Sequence, residues 1–288
     1  MKFQYKDQQF QVDAVNAVTS VFEGQPKQTS SSYVMDIGDE ENVTLDILNG
    51  FKNLPISLSN NHLLENIKSV QRDNGLIIDN RLIKMAIGGK DKTTEIDNSC
   101  EKLTLSVEME TGTGKTYTYI KTIFELNKQY GWSKFIIVVP NIAIREGIPT
   151  TFESTAEHFK NTYGISIRSF IYNSKHLNKI DAFAGDAGIN VMIVNTQAFN
   201  ARGADARRID MELDQFRGRR PIDVIAATNP IMIIDEPQSV LGNGTKSALN
   251  ATRVGLAKFN PLFFINYSAT HRENYNMVYR LDAVDAYK

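Results

Sequence analysis

The sequence predicts an α/β fold in which helices cover both faces of a doubly wound, mostly parallel sheet. Apolar runs of strand length alternate with helical patterns from Leu103 to Thr270, as in parallel sheets. A glycine-rich loop follows the first of these runs and precedes a helical pattern. Polar residues follow most of the runs, and in such sheets functional residues lie beyond the carboxyl ends of the strands. We therefore expect these polar residues to line one edge of the sheet.

The elements can be assigned in chain order. Apolar spacing predicts a helix of about four turns from Gln9. The run Lys134–Pro140 is almost wholly apolar, as expected for a strand buried on both faces. Strands are predicted at 103–109, 134–140, 165–172, 190–195, 231–236 and 261–270, and helices at 117–130, 141–163 and 246–258.

Residues 24–100 separate the first helix from the glycine-rich loop and indicate an α+β insertion. Weak helical patterns lie near 45–51 and 62–72, and a β-like run spans 75–79. Residues 88–94 are rich in glycine, lysine and threonine and predict a flexible exit. No residue pattern in this region indicates chemistry.

Composition excludes several classes of protein. The 288 residues carry a net charge of −1, so no global basic field indicates nucleic acid and any DNA site must be local. The single cysteine excludes an internal disulfide, and the four histidines lack metal-ligand spacing. No apolar run approaches the ~18–20 residues of a membrane span, and the N-terminus lacks the apolar core of a signal peptide. We expect a cytoplasmic protein.

The glycine-rich loop, Met109-Glu-Thr-Gly-Thr-Gly-Lys-Thr116, has the pattern of a phosphate-binding loop. Its glycines let backbone N–H groups turn towards a polyphosphate. Lys115 can reach the β- and γ-phosphates, and Thr116 can ligate Mg²⁺. Met109 stands where the standard pattern has its first glycine. The predicted nucleotide-binding residues are Thr111, Gly112, Thr113, Gly114, Lys115 and Thr116.

Asp235 and Glu236 end the apolar run that starts at Ile231. An acid at the end of a buried strand can hold Mg²⁺ together with Thr116. The next acid can polarise a water molecule for attack on the γ-phosphate. We predict that Asp235 binds the metal and that Glu236 is the catalytic base.

Gln11 allows two interpretations. A glutamine amide has a donor and an acceptor, which suit the N6 amine and N7 of adenine. Spacing alone favours a solvent-exposed helix glutamine.

The stretch 202–220 holds six arginines and also allows two interpretations. Arginines can contact DNA phosphates without sequence preference. The stretch also contains Asp205, Asp210, Glu212 and Asp214, which favour a solvated, internally paired loop.

These motifs resemble those of a known superfamily. The phosphate loop, Asp235-Glu-Pro-Gln238 and Ser268-Ala-Thr270 resemble motifs I, II and III of superfamily-two helicases and DNA translocases. Together with Phe10-Gln11, Val138-Val-Pro-Asn-Ile-Ala-Ile-Arg-Glu-Gly147 and Tyr267-Ser-Ala-Thr-His271, they resemble the restriction (Res) subunit of type III restriction enzymes. The resemblance covers residues 1–23 and about 100–271.

The resemblance implies roles that the spacing does not. Gln11 would read adenine, which reverses the preference from spacing. Ser268 and Thr270 would couple ATP hydrolysis to DNA movement. The residues that would fall where the family contacts the DNA backbone are Pro140, Asn141, Arg145, Asn195 and Thr196.

The resemblance also implies a domain organisation. Residues 1–23 would be an adenine-reading helix, 101–271 a RecA-like ATPase domain and 272–288 the start of a connection to a second motor domain. The family also carries a C-terminal nuclease domain, so we expect an N-terminal part of a longer protein. That protein would be an ATP-driven motor on duplex DNA with a methyltransferase partner.

Two alternatives stay open: another superfamily-two helicase acting on DNA or RNA, and a catalytically silent ATP- or DNA-binding module. The sequence indicates neither a DNA recognition sequence nor an oligomeric state.

Overall fold

The computed structural model describes residues 6–27, 31–34, 49–89, 99–200, 208–241, 246–271, 273 and 275–281. The helices are α1 Gln9–Ser20, α2 Asn60–Asp73, α3 Lys115–Tyr130, α4 Ile142–Tyr163, α5 Asn178–Gly185, α6 Gln197–Asn200, α7 Pro221–Ala226, α8 Pro237–Val240 and α9 Lys246–Lys258. The strands are β1 Ser31–Val34, β2 Asn49–Lys52, β3 Lys84–Ile87, β4 Cys100–Met109, β5 Lys134–Val139, β6 Arg168–Ile171, β7 Asn190–Asn195, β8 Ile231–Asp235, β9 Phe264–Ser268 and β10 Asn276–Leu281. Within the described ranges, none of the helices combines the length and apolar character needed to cross a membrane.

Eight of the strands form one sheet, in the order β10-β4-β9-β8-β5-β7-β6. All neighbours in this order are parallel. The eighth strand, β3, runs antiparallel to the first residues of β4, and β10 pairs with the later residues of β4. The strands β1 and β2 form a separate antiparallel pair. The predicted fold class, with its mostly parallel sheet, is confirmed.

Helices bury both faces of this sheet. In β5, Phe135, Ile137 and Val139 face one core, which α1, α2, α3 and α4 cover. Ile136 and Val138 face the opposite core, which α5, α7 and α9 cover. Both faces of β5 are therefore apolar, which explains its unbroken apolar sequence.

Two predictions in the region before the phosphate loop were wrong. The first was a helix at 45–51. Residues 49–52 form strand β2 instead, because they pair with β1. Residues 45–48 lie outside the described ranges. The run 75–79 forms no strand. The Gln71 side chain accepts the backbone N–H of Asp79 at 2.8 Å, and Ile77 is 91% exposed. A side chain thus satisfies the backbone group that a neighbouring strand would otherwise bind.

The sheet extends past both limits predicted for the ATPase domain. The strand β3 comes from the region assigned to the insertion, and β10 comes from residues assigned to a connection. Both pair with β4, the strand that leads into the phosphate loop. Residues 101–271 therefore do not comprise the whole sheet. The predicted flexible exit at 88–94 is described only for Gly88 and Gly89, since 90–98 lie outside the described ranges.

Candidate active site

Three of the predicted motifs meet at the carboxyl edge of the sheet. The strands β4, β8 and β9 end at Met109, Asp235 and Ser268. Since β4 and β9 are neighbours, Glu108 lies opposite Ser268. Asp235 lies opposite Tyr267 on β9 in the same way. Residues far apart in the chain thus share one edge, as expected of parallel strands.

The phosphate loop is a tight turn between β4 and α3. Gly112 and Gly114 have φ angles of +87° and +85°, which are left-handed conformations that favour glycine. The Thr113 hydroxyl donates a hydrogen bond of 2.6 Å to the carbonyl of Glu110, which closes the turn. Thr111 is exposed. The helix α3 begins at Lys115, so its free N–H groups lie next to the turn, in the arrangement that favours anions.

Gln11 is buried against this loop and is not the exposed glutamine that spacing favoured. Its side chain is 8% exposed, and its Nε2 donates to the carbonyl of Thr113 at 2.9 Å. A Cβ atom on Gly114 would lie only 2.6 Å from the same Nε2. The Gln11 amide therefore occupies the space in which any other residue at 114 would place its side chain.

Lys115 reaches across the edge of the sheet to the motif after β8. Its Nζ lies 3.0 Å from Oε1 of Glu236 and donates to the carbonyl of Met109 at 3.3 Å. These contacts place the ammonium group between the two strands that carry the motifs. A lysine ammonium in this position can serve either a carboxylate or a phosphate.

Asp235 is almost completely buried, with 6% of its surface exposed. Burial raises the pKa of Asp235 to about 6, the neighbouring Glu236 carboxylate adds to that rise, and Lys115 opposes it. Asp235 and the partly buried Thr116 offer a carboxylate and a hydroxyl, which are oxygen ligands of the kind that Mg²⁺ prefers. The residues present therefore fit this metal.

Glu236 is held in place by three side chains. Its φ angle of +55° is left-handed, which turns the chain sharply after β8. One carboxylate oxygen accepts from Lys115 and the other from Ser268 at 3.0 Å and from Gln238. Burial raises the pKa of Glu236, but the hydrogen bonds from these donors outweigh it and bring the pKa below its ordinary value. Glu236 is therefore an ionised, oriented carboxylate that can accept a proton from water.

Ser268 connects this carboxylate to the end of β9. Its hydroxyl oxygen lies 3.0 Å from Glu236, 2.8 Å from the amide oxygen of Gln238 and 2.6 Å from the carbonyl of Thr270. A hydroxyl has one proton, so it can donate to only one of these acceptors at a time. Ser268 is thus able to exchange partners between the Glu236 carboxylate and its own loop.

Sequence reasoning assigned no role to two residues of this site. Gln238 holds Glu236, and the Nε2–H of His271 donates to the carbonyl of Val107 on β4 at 3.1 Å. Burial lowers the pKa of His271, although the Val107 carbonyl and nearby carboxylates oppose it. Both residues lie within the motifs, but only the fold shows what they contact.

The five residues predicted to contact DNA lie along a different part of the same edge. The Thr196 hydroxyl donates to the carbonyl of Pro140 at 3.4 Å, and the Asn141 side chain caps α4 by accepting the N–H of Ile144. Asn195 is buried, and Arg145 pairs with its neighbour Glu146 at 2.8 Å. A groove of about 530 Å³ opens here, lined by Ile142, Arg145, Glu146, Ile171, Tyr172, Asn173, Ser174, His176, Lys179, Asn195, Gln197 and Ala198. Two of the five predicted residues, Arg145 and Asn195, thus line this groove, and Lys179 and Glu146 add a cation and an acid to its wall.

In the described part of the arginine stretch, two arginines are paired with acids. Arg219 is bound to both oxygens of Asp181 at 2.9 and 3.1 Å, and its guanidinium lies 4.2 Å from the ring centre of Phe216. Arg220 pairs with Asp223 at 2.6 Å. Both acids lie outside the stretch, so these two pairs are not internal to it. Residues 201–207 lie outside the described ranges.

Comparison with known proteins identifies the sequences to which this chain is similar. Residues 61–273 match the model of the family described as "Type III restriction enzyme, res subunit". The chain is 35% identical over 266 residues to the EcoP15I Res subunit of Escherichia coli and 34% identical over 266 residues to the EcoPI Res subunit of Escherichia phage P1. Each match covers 86% of this chain and 25% of the relative, so the chain spans a quarter of the length of these relatives.

One solved structure shows a more distant similarity. A solved structure of the Sulfolobus solfataricus SWI2/SNF2 ATPase core in complex with dsDNA is 15% identical, with a TM-score of 0.37 over 60% of this chain and 28% of that one.

Proposed function

The chain belongs to the family of type III restriction enzyme Res subunits, and from this premise we propose that it is the ATP-binding motor domain of such a subunit. The observation that supports the proposal best is the ion pair between Lys115 and Glu236, at 3.0 Å. It joins the phosphate loop to the acidic motif after β8, and these two motifs must act on the same ligand in an ATPase.

The phosphate loop binds the triphosphate of ATP in this proposal. The backbone N–H groups of the turn and the N-terminus of α3 attract the phosphate oxygens. Lys115 exchanges its contact with Glu236 for the β- and γ-phosphates. Gln11 reads the adenine with the oxygen of its amide and with the second N–H of Nε2, since the first N–H is donated to Thr113.

Thr116 and Asp235 hold Mg²⁺ in this proposal. The metal, when bound, neutralises charge that develops on the phosphate oxygens. Asp235 must be ionised to serve as a ligand, and with a pKa of about 6 it is mostly ionised at neutral pH.

Glu236 is the general base of the proposed reaction. Its carboxylate takes a proton from the water molecule that attacks the γ-phosphate, while Gln238 and Ser268 keep its second oxygen oriented. Ser268 and Thr270 couple hydrolysis to movement, because a Ser268 hydroxyl that leaves Glu236 can bind the carbonyl of Thr270 instead.

The groove beside Arg145 and Asn195 is the proposed contact with the backbone of duplex DNA. Lysine and arginine contacts to phosphates give affinity without sequence preference. In the complete protein, which we propose to act with the methyltransferase subunit of the same restriction system, this motor would move on DNA and direct its cleavage.

Steady-state ATPase measurements with and without duplex DNA test this proposal. We expect the 288-residue protein to bind ATP–Mg²⁺ weakly and to hydrolyse it slowly, because the resemblance assigns the arginine finger to a second motor domain. Such a finger is worth about 10³–10⁵ in rate. Absence of hydrolysis both with and without DNA would favour the catalytically silent module, and DNA-stimulated turnover at ordinary helicase rates would contradict the dependence on a second domain.

A further inference from the structure

The carboxylate of Asp7 ties the segment before α1 to the helix that follows the phosphate loop. Its Oδ1 lies 2.7 Å from Nζ of Lys121 and accepts a hydrogen bond of 2.7 Å from the hydroxyl of Tyr117. The same hydroxyl lies 2.8 Å from Nε2 of His158 on α4. Because the tyrosine proton goes to Asp7, the histidine ring is the donor in this second contact. We call these four residues the Asp7 clamp.

The clamp is sheltered enough for its charges to matter. The Lys121 side chain is 9% exposed, while that of Asp7 is 43% exposed. Burial raises the pKa of Asp7, but the hydrogen bonds from Lys121 and Tyr117 outweigh it and bring that pKa below its ordinary value. Among the described residues, Lys121 forms no other ion pair, so loss of Asp7 leaves a nearly buried cation uncompensated.

The clamp lies next to Gln11 in the chain. Asp7 precedes α1, which begins at Gln9, so Gln11 is in the first turn of the helix beside the clamped end. The other end of α1 is held by the Tyr130 hydroxyl, which donates to the carbonyl of Thr19 at 2.8 Å. The helix α1 is therefore fixed to α3 at both ends, and α3 is the helix that starts in the phosphate loop.

The position of Gln11 allows little movement. Its Nε2 donates to Thr113 at 2.9 Å and lies 2.6 Å from the place of a Cβ on Gly114. A shift of α1 towards the loop would bring the Gln11 amide into contact with backbone, and a shift away would break the hydrogen bond. Pairing with a base through one donor and one acceptor requires the amide to be held within about 0.5 Å.

We propose that the Asp7 clamp is a positioning element that sets the adenine selectivity of the nucleotide site. It does so by holding α1, and with it Gln11, at a fixed distance from the phosphate loop. This inference rests on the proposed function. Asp7, Tyr117 and Lys121 contact no reacting group and act only through Gln11.

The proposal separates two parts of the nucleotide. The phosphates are bound by the loop, Lys115 and the N-terminus of α3, and the loop is closed by the bond from the Thr113 hydroxyl to the carbonyl of Glu110, which α1 does not supply. The base is bound by Gln11, whose position depends on where α1 begins. Loss of the clamp should therefore weaken ATP binding and leave the binding of inorganic tripolyphosphate unchanged.

Isothermal titration calorimetry of the 288-residue protein with Mg–ATP, Mg–GTP and Mg–tripolyphosphate tests this. Asp7→Asn removes the charge and keeps the size, and Tyr117→Phe removes one hydroxyl and keeps the ring that stacks on Phe159 at 5.0 Å. Lys128→Met is the control, because it removes the ion pair of an exposed lysine with Glu125 elsewhere on α3. Circular dichroism and a thermal unfolding curve verify that each variant is folded, and Tyr117→Phe decides the result if Asp7→Asn does not fold.

We expect both clamp variants to lose about 5-fold to 10-fold in ATP affinity, which corresponds to about 1.0–1.4 kcal/mol. Their preference for ATP over GTP should fall by the same factor, while tripolyphosphate affinity and the Lys128→Met variant match the wild type. An equal loss of affinity for ATP and tripolyphosphate, or no loss of ATP affinity, would overturn the proposed role of the clamp and leave the proposed function standing. Wild-type protein that binds neither ATP nor tripolyphosphate would overturn the proposed function and this inference with it.

Discussion

The ammonium group of Lys115 lies 3.0 Å from a carboxylate oxygen of Glu236. The residue that we expect to bind phosphate and the residue that we expect to activate water therefore form an ion pair across the carboxyl edge of the sheet. Lys115 is one of the donors that bring the pKa of Glu236 below its ordinary value. The two residues can thus be separated by mutation, since one should govern binding and the other hydrolysis.

Glu236→Gln should retain ATP binding and lose hydrolysis. A glutamine amide cannot accept a proton from water, whereas the size and the contacts to Gln238 and Ser268 are largely kept. Residual phosphate release should fall about 100-fold or more. Single-turnover phosphate release and calorimetry on the same preparation measure both properties. A Glu236→Gln variant that hydrolyses ATP at the wild-type rate would show that another residue is the base.

Gly114→Ala should destabilise the phosphate loop in two ways, through backbone strain and through a collision of the new side chain with Gln11. Its φ of +85° costs an L-residue about 1–2 kcal/mol, and the new Cβ would meet the Gln11 amide at 2.6 Å. Gly75→Ala is the matched control, since Gly75 has a φ of +63° and open space around it. We expect Gly114→Ala to lower the free energy of unfolding, measured by urea denaturation, more than Gly75→Ala does.

The collision with Gln11 can be tested directly by a double variant. Gln11→Ala should restore part of the unfolding free energy that Gly114→Ala removes, because it clears the space. If the two changes are additive, the amide of Gln11 does not occupy the position described.

The sequence predicted the elements whose signal is local. The apolar run Lys134–Val139 and the glycine turn before Lys115 follow from spacing and backbone chemistry alone. Features that depend on distant partners were missed. The strand β10 is six residues long, and it becomes a strand because β4 pairs with it. Ile77 lies in a run with β-like composition, but the side chain of Gln71 binds the neighbouring backbone instead.

In the site too, residues in local motifs were predicted, whereas contacts between distant residues were not. Lys115, Asp235 and Glu236 stand in recognisable motifs, and the parallel topology implies that they lie along one edge. Spacing gave the wrong environment for Gln11, because the phosphate loop that buries it comes about a hundred residues later in the chain. The contact between Asp7 and Lys121 has no local signal, since it requires α1 and α3 to be packed together.

Arg219→Ala should destabilise the protein without changing its affinity for DNA. Arg219 is 8% exposed in its side chain, binds both oxygens of Asp181 and lies against Phe216. Loss of these charged hydrogen bonds should lower the free energy of unfolding by about 1–3 kcal/mol. Urea denaturation and fluorescence anisotropy with a labelled duplex measure the two effects. Arg217→Ala, at an exposed position of the same stretch, is the control, and a loss of DNA affinity in both variants would favour the DNA-facing interpretation.

The contribution of Lys134 to the free energy of unfolding should rise between pH 8 and pH 10. Burial lowers the pKa of Lys134 from 10.5 to about 8, although its Nζ donates to the carbonyls of Phe183 and Asp186. In this pH range the unfolded chain binds more protons at this position than the folded chain, so the free energy of unfolding increases with pH. The contribution is at most about 3 kcal/mol and vanishes below the folded pKa, where both states are protonated.

Lys134→Met isolates this contribution. Urea denaturation at several pH values between 7 and 10 should give a smaller increase in the free energy of unfolding for the variant than for the wild type. Equal pH dependence in the two proteins would mean that Lys134 titrates near its ordinary value in the folded state.

The most direct measurement is a calorimetric titration of Mg–ATP into the wild-type protein and into Lys115→Ala. The wild type should bind one ATP per chain, and the variant should lose about 30-fold to 160-fold in affinity, because about 2–3 kcal/mol of charged contacts to the phosphates disappear. Both proteins should have the same far-ultraviolet circular dichroism, which shows that the loss is local. Lys115→Ala that binds ATP as tightly as the wild type would contradict the assignment of this loop as the nucleotide site.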